Sequence, residues 1–244
     1  MRWHIGLMTG TVLDGNIDIA FLRTDGEIIE EFGYYDLMPY DEEVKDLLIK
    51  TLDEAQIWNF RGPEPEIFSK TEAALTNSQT VAVQKCIKLS GIAENDIGAV
   101  GFHGQTVLHR APRRLLKGAT RQLGDGQAMA NKLGIPVVYD FRSRDMKEGG
   151  QGAPLCPIYH AALLKKIGAT SNTAILNLGG IGNLSFSSDE CGLIAFDTGP
   201  ANAPLNDWIK LNNIAEMDVN GEIAGRGKVN ESQLAEVLTD TYFE

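Results

Sequence analysis

The segment TGTVLDGN at 9–16 and the segment GGIGN at 179–183 each set glycines between stretches that read as strands. Glycine tolerates positive φ and lets the backbone approach a ligand closely. Successive N–H groups in such turns form a concavity that holds an anion. One such turn in each half of the chain points to a clamp on the phosphates of a nucleotide. Its expected lining is Thr9, Gly10, Thr11, Val12, Leu13, Asp14, Gly15 and Asn16 from the first turn, and Gly179, Gly180 and Asn183 from the second. Thr9, Thr11 and Asn183 add side-chain donors. Asp14 offers a carboxylate to magnesium, an ion that favours oxygen ligands and keeps several waters. Taken singly, each turn reads as a structural hairpin.

The better-known nucleotide signatures are absent. Gly180 and Gly182 begin a dinucleotide fingerprint, but Ser185 stands where its third glycine belongs. The GRGKVN stretch has Val229 where a P-loop requires Ser or Thr.

Three further groups could do chemistry. Asp197 is expected to end a strand just before Thr198-Gly199-Pro200, which would bring its carboxylate out as a general base; the alternative is a cap on the turn. His103 and Gln105 follow a short apolar strand, a place where loop side chains meet ligands. Arg142, Arg144 and Asp145 follow another expected strand end, and guanidinium matches the geometry of a carboxylate. A surface ion-pair network is the competing reading for those three. Gly149, Gly150 and Gly152 read as a substrate loop or as a tight entry to the next helix.

These residues need elements to hold them. Ile5–Met8, Ile17–Leu22 and Ile28–Tyr35 read as an antiparallel meander. Glu42–Ala55 has Val44, Leu47, Leu48 and Leu52 on one face, with Asp41 placed to cap it, and reads as a helix. A longer helix is expected over about Glu66–Leu89. Ala99–Phe102 reads as a strand, Asp125–Leu133 as a helix closed by Gly134, Ile135–Phe141 as a strand and Pro157–Ile167 as a helix. The opening pattern then repeats, with strands at Ala174–Leu178, Leu184–Ser187 and Gly192–Asp197 and a helix at Ala203–Leu211. Asn230 is placed to cap a last helix running nearly to Glu244, with Leu234, Val237 and Leu238 as its apolar stripe. This reading gives two related α/β domains, 1–168 and 169–244, the second with fewer strands than a complete unit.

Composition narrows the partners. A net charge of −11 excludes a general nucleic-acid binder, which needs a basic face. No apolar run has membrane-spanning length, and the start lacks a secretory leader, so a cytoplasmic protein is expected. Cys86, Cys156 and Cys191 fit neither a disulfide framework nor a zinc motif and read as buried small hydrophobes.

The longer segments GLMTGTVLDGNID, GFHGQTVLHR, DFRSRDMKEGGQGAPL, LNLGGIGNLS and FDTGPANAPLNDW stand in the order found in anhydro-N-acetylmuramic acid kinases. The chain resembles that family from about Ile5 to its end. The resemblance implies a two-domain actin/hexokinase-like (ribonuclease H-like) α/β fold with the second domain incomplete. It implies ATP and Mg2+ acting on an anhydro sugar from peptidoglycan turnover, yielding N-acetylmuramic acid 6-phosphate. Asp197 falls on the family's catalytic aspartate. Substrate contacts are expected from His103, Gln105, Arg142, Arg144 and Asp145. Expected partners are the sugar and ATP, with no nucleic acid and no membrane; a homodimer is allowed. A kinase of this fold for another amino sugar, or a non-catalytic sugar binder, would fit the same segments. The chain departs from the family pattern at Thr9 and Val12, where serines are usual, at Asp18, which comes one residue late, and at Ala201, where glycine is usual.

Overall fold

A computed structural model describes residues 1–9, 15–112, 116–170, 172–188, 192–215 and 217–240. The chain divides into two compact units, one of residues 1–176 with 184–196, the other of 177–183 with 197–240 among those described.

The first unit is built on a five-stranded mixed sheet. Strands β1 (Arg2–Met8), β2 (Asn16–Thr24) and β3 (Ile29–Pro39) form the expected antiparallel meander. Strands β4 (Ile97–Phe102) and β7 (Val137–Tyr139) add in parallel on the other side of β1, giving the order β3-β2-β1-β4-β7. An antiparallel meander extended by parallel strands is the ribonuclease H-like order. Residues on one side of the sheet alternate apolar: Ile5 and Leu7, then Ile17, Ile19 and Phe21, then Val100 and Phe102, all buried. Period-two burial is what a strand packed on one face requires.

Two helices supply most of the facing layer. Helix α1 (Glu42–Trp58) buries Val44, Leu48, Thr51 and Ala55, and α2 (Ile67–Ser90) buries Phe68, Leu75, Gln79, Val83 and Cys86. These spacings of three and four keep one stripe inward. The hydroxyls of Thr51 and Thr71 lie 2.7 Å apart and satisfy each other between α1 and α2. Burial pushes the Cys86 thiol up to about 11, so it stays protonated and inert in this layer. Cys156 is only half-buried, and Cys191 lies outside the described residues. Asp41 stands at the N-cap of α1 but accepts no capping hydrogen bond, contrary to the expected cap. Glu42 and Glu43 still place negative charge at that helix's positive end.

Three departures bear on function. First, β5 (Gln105–Arg110) and β6 (Ala119–Leu123) pair as a separate antiparallel ribbon that the sequence reading did not resolve. The ATRQL strand is largely polar, so no hydrophobic alternation marks it. Second, β7 stops at Tyr139. Asp140 adopts a left-handed conformation at φ 51°, and Phe141 opens helix α4 (Phe141–Lys147). Asp tolerates that conformation better than most residues, and here it receives the Ser143 hydroxyl at 2.6 Å. The expected Ile135–Phe141 strand is therefore cut short, and Arg142, Arg144 and Asp145 project from a helix. Third, Asp197 does not end its strand, because β10 runs from Gly192 to Pro200.

Helix α3 (Gly126–Leu133) is capped by Asp125, whose carboxylate accepts the Ala128 N–H at 2.9 Å, and ends at left-handed Gly134, as expected. Helix α5 (Pro157–Lys166) follows the GGQGAP segment. Strands β8 (Ala174–Leu178), β9 (Ile181–Ser188) and β10 form a second sheet in the order β10-β9-β8, the same serial order as β3-β2-β1. Helices α6 (Asn202–Leu211), α7 (Glu222–Arg226) and α8 (Glu231–Val237) come after it. Asn230 caps α8 by accepting the Gln233 N–H at 3.2 Å, but the helix closes at Val237 rather than near Glu244. No helix among the described residues is long and apolar enough to cross a membrane.

Candidate active site

Strand β1 delivers Thr9 to the edge of the first turn, where the residue is buried. Its hydroxyl donates to the Gly104 carbonyl at 2.8 Å. Gly10, Thr11, Val12, Leu13 and Asp14, including the expected magnesium ligand, lie outside the described residues. Gly15 closes the turn at φ +86°, and its carbonyl accepts the Tyr40 N–H at 2.8 Å.

Strand β4 ends at Phe102, so His103 follows it directly and Gln105 opens β5, both buried. His103 Nδ1 is 2.8 Å from the Gly104 carbonyl, and Nε2 is 3.0 Å from an Arg142 guanidinium nitrogen. Guanidinium only donates. Nε2 must therefore accept, and the proton must sit on Nδ1, donated to Gly104. Burial holds the imidazole below its ordinary value. The Gly104 contact opposes this, and the Arg142 charge adds to it. Gln105 donates to the Thr106 carbonyl at 3.3 Å, while its Oε1 is buried without a partner.

Helix α4 brings Arg142 to His103 and to the glycine loop, where it donates to the Gly152 carbonyl at 2.6 Å. Its Nε is buried and unpartnered, and burial draws its pKa down. Asp145, one turn along, accepts the Gly152 N–H at 2.7 Å. A side chain at Gly150 would overlap the Asp145 carboxylate and displace it from its place beside the loop. Arg144, on the same helix, is exposed. The structure thus gathers Thr9, His103, Arg142 and Asp145 around two backbone units, Gly104 and Gly152. A cavity of about 790 Å3 opens beside this group, lined by His103 with Phe141, Leu155 and Tyr159 and by the sheet residues Gly6, Met8 and Tyr35. That volume suits a small ligand.

Neither Gly104 nor Gly152 was picked out by chemistry-bearing residue type, because each acts through its backbone. The signal for Gly104 was its place inside HGQT. It adopts φ +64°, and a Cβ there would overlap the Leu123 carbonyl. Gly104→Ala is expected to lower stability by more than about 1 kcal/mol, read by urea unfolding.

In the second unit, Gly179 and Gly180 turn their carbonyls to the start of α6. Gly180 accepts the N–H groups of Ala201 and Ala203 at 3.0 and 3.2 Å, and Gly179 accepts that of Asn202 at 2.9 Å. The Asn202 side chain adds a bond to the Leu178 carbonyl at 2.9 Å. The glycine turn is thereby seated on the α6 N-terminus, whose first N–H groups its carbonyls satisfy. Gly182 allows the close approach of Thr198, since a Cβ would lie 2.8 Å from its hydroxyl. Asn183 is half-buried at the start of β9. Asp197 is exposed within β10 and forms no ion pair with a described residue.

All four histidines have pKa values lowered chiefly by burial: His4, His103, His109 and His160. His160 shares a buried 2.8 Å contact with the Ser185 hydroxyl. Above pH 6.5 both folded and unfolded states hold these rings neutral. Below it the unfolded state takes up protons first, which favours unfolding. Stability is therefore expected to fall as pH drops through 6.5 toward the lower folded values. Urea midpoints between pH 7.5 and 5.5 check this; a flat profile would contradict it.

The family model for anhydro-N-acetylmuramic acid kinase matches residues 2–244. Proteins of that name from Brucella anthropi and Rhizobium rhizogenes are each 56% identical over 240 residues, and one from Paramagnetospirillum magneticum is 42% identical over 240. Each alignment takes in 98% of this chain. The chain spans 65% of the length of the first two relatives and 63% of the third. Among solved structures, a reductive activator for a corrinoid iron–sulfur protein aligns with a TM-score of 0.42 and 12% identity, over 82% of this chain and 31% of that one. The match of one family model to residues 2–244, together with these relatives, shows that the chain belongs to the anhydro-N-acetylmuramic acid kinase family.

Proposed function

We propose that these residues form the phosphate-binding and water-activating parts of an ATP-dependent kinase that opens the 1,6-anhydro ring of anhydro-N-acetylmuramic acid and phosphorylates O6. The observation that carries the reading is the family match over residues 2–244. Residues 1–168 are read as the first domain. The segment from 169 onward is read as the start of a second domain holding the Gly179–Asn183 turn and Asp197.

O6 of the substrate is bonded to the anomeric carbon and carries no proton. The base must therefore act on water. In this reading Asp197 removes a proton from a water that attacks the anomeric carbon on the face opposite O6. The C1–O6 bond breaks, O6 takes the γ-phosphoryl group, and ADP leaves. The geometry of attack is that of an inverting glycoside hydrolysis. Each glycine turn is assigned to the phosphates, where backbone N–H groups offset charge. Asp14 is assigned to Mg2+, which needs only one or two protein carboxylates when phosphates complete its shell. Arg142, with a free Nε, and Gln105, with a free Oε1, are assigned to the sugar, together with Arg144 and Asp145, and His103 belongs to the same site through its bond to Arg142. Dependence on ATP assigns the reaction to the cytoplasm, and a homodimer is retained as the assembly.

The test joins these 244 residues to the part of the Brucella anthropi relative that the alignment does not reach. ADP release is followed with the anhydro sugar, N-acetylmuramic acid and N-acetylglucosamine in parallel. The expected product gains one phosphoryl group and one water, with solvent 18O at the anomeric carbon. A product that keeps its anhydro ring, or preference for another sugar, would overturn the reading.

A further inference from the structure

We infer that His103 is a positioning residue that couples Thr9, at the end of β1, to the Gly149–Gly152 loop, through Gly104 on one side and Arg142 on the other. The inference concerns the same site as the proposed kinase reading and rests on it for its functional consequence.

The connection can be followed atom by atom. The Gly104 carbonyl receives the Thr9 hydroxyl at 2.8 Å and His103 Nδ1–H at 2.8 Å, which uses both of its lone pairs. His103 Nε2 receives an Arg142 N–H at 3.0 Å. The other Arg142 terminal nitrogen donates to the Gly152 carbonyl at 2.6 Å, and the Gly152 N–H is held by Asp145 at 2.7 Å. Every donor and acceptor in the series has one assignment only. Arg142 cannot accept, so the histidine tautomer is fixed. The tautomer leaves a donor facing Gly104, so that carbonyl is fixed as well. His103 and Thr9 are 8% and 2% exposed, so water does not readily substitute for either partner. A side chain at Gly104 would disturb this junction, given its φ of +64° and its approach to the Leu123 carbonyl.

A sugar that engages Arg142 would therefore draw on the same bonds that hold the entry to the first glycine turn. Loss of Arg142 should loosen residues near Thr9 although the two side chains share no bond. The function predicted for His103 is transmission, with no contact to the reacting atoms.

The test uses the 244-residue chain. With 15N-labelled histidine, His103 is expected to show the Nδ1–H tautomer at neutral pH; Nε2–H in the wild type would overturn the inference. Hydrogen exchange is then read in peptides spanning 5–16 and 148–156. Arg142→Met is expected to raise exchange about tenfold or more in both, because a bond to a charged donor is lost. Arg142→Lys, which keeps a charge and one donor, should restore part of the protection. His103→Asn should loosen 148–156 more than 5–16, because the shorter amide reaches Gly104 but not Arg142. Faster exchange confined to 148–156 in Arg142→Met, or an equal rise across the whole chain in both arginine variants, would show that no such coupling exists. In the joined kinase, Arg142→Met should raise KM for ATP as well as for the sugar. Absence of sugar phosphorylation in the wild-type joined protein would sink the kinase reading, while tautomer and exchange would still decide the coupling.

Discussion

Asp197→Asn is expected to cut turnover of the anhydro sugar by about 10²–10⁴-fold, the usual cost of losing a general base. The amide has nearly the shape of the carboxylate but cannot accept the proton from water. Asp197 is exposed in β10 and makes no ion pair with a described residue, so the substitution removes little that holds the fold. Surface changes of that kind usually alter stability by no more than about 0.5 kcal/mol. Equal melting curves with lost turnover would therefore locate the defect in chemistry. The assay belongs in the joined protein described above, at saturating ATP and sugar. Near-wild-type turnover in a folded variant would remove Asp197 from the base role, and the alternative reading as a structural residue of the strand would stand.

The second large effect concerns how much of the activity these 244 residues support alone. Their specific activity is expected to be at least about 10²-fold below that of the joined protein, since a displacement of about 1 Å in a reacting group already costs roughly that much. Two observations motivate this. The curated relatives are longer, with 65% of the Brucella anthropi protein aligned. In addition, α6 and α8 leave Leu205, Trp208, Leu211, Leu234, Val237 and Leu238 exposed, a quantity of apolar surface that a monomer seldom presents. Phosphoryl transfer depends mostly on positioning and electrostatics, so a nucleotide held only through its phosphates would react slowly. Both proteins would be purified and assayed for sugar-dependent ADP release. Comparable specific activities would show that the added segment is dispensable. Light scattering in the same samples should find the 244-residue chain more prone to association.

The acid sensitivity expected from the four histidines arises from a different cause. Their rings are lowered mainly because they are buried, and burial depends on tertiary packing. Arg2, two positions from His4, adds to its shift, but burial is the larger cause there and at His109. His103 combines burial with an arginine 39 positions away. The sequence therefore offers the histidines but no indication of the direction in which they titrate.

Much of the first unit was legible because its signals are local. Ile5, Leu7, Ile17, Ile19 and Phe21 alternate with outward residues, and that period belongs to a strand wherever it is placed. The α1 and α2 stripes, the Asp125 cap and the Gly134 stop are likewise set by neighbours within a few residues. The repeat of strand order could be read for the same reason, and long ordered motifs identified the family. Where two local signals competed, the reading failed. The apolar run from Ile135 looked like a strand through Phe141, but Asp140 in the left-handed region ended it and started α4. Polar β6 gave no alternation to read, so the ribbon carrying Gln105 was missed.

Residue types and spacing offered candidates for a phosphate-binding backbone, a carboxylate base and sugar-binding polar groups, and the family resemblance chose among them. Tertiary structure decided which of them meet. Arg142 reaches His103 only because β4 and β7 lie parallel and adjacent, which brings the residues that follow each strand together. Thr9 and His103 share the Gly104 carbonyl because β1 neighbours β4 in the same sheet, although about ninety residues separate them. Hydrogen bonds to backbone carbonyls carry no sequence signature, since every residue offers one. Which carbonyl is used, and therefore which histidine nitrogen holds the proton, is fixed by sheet order and burial.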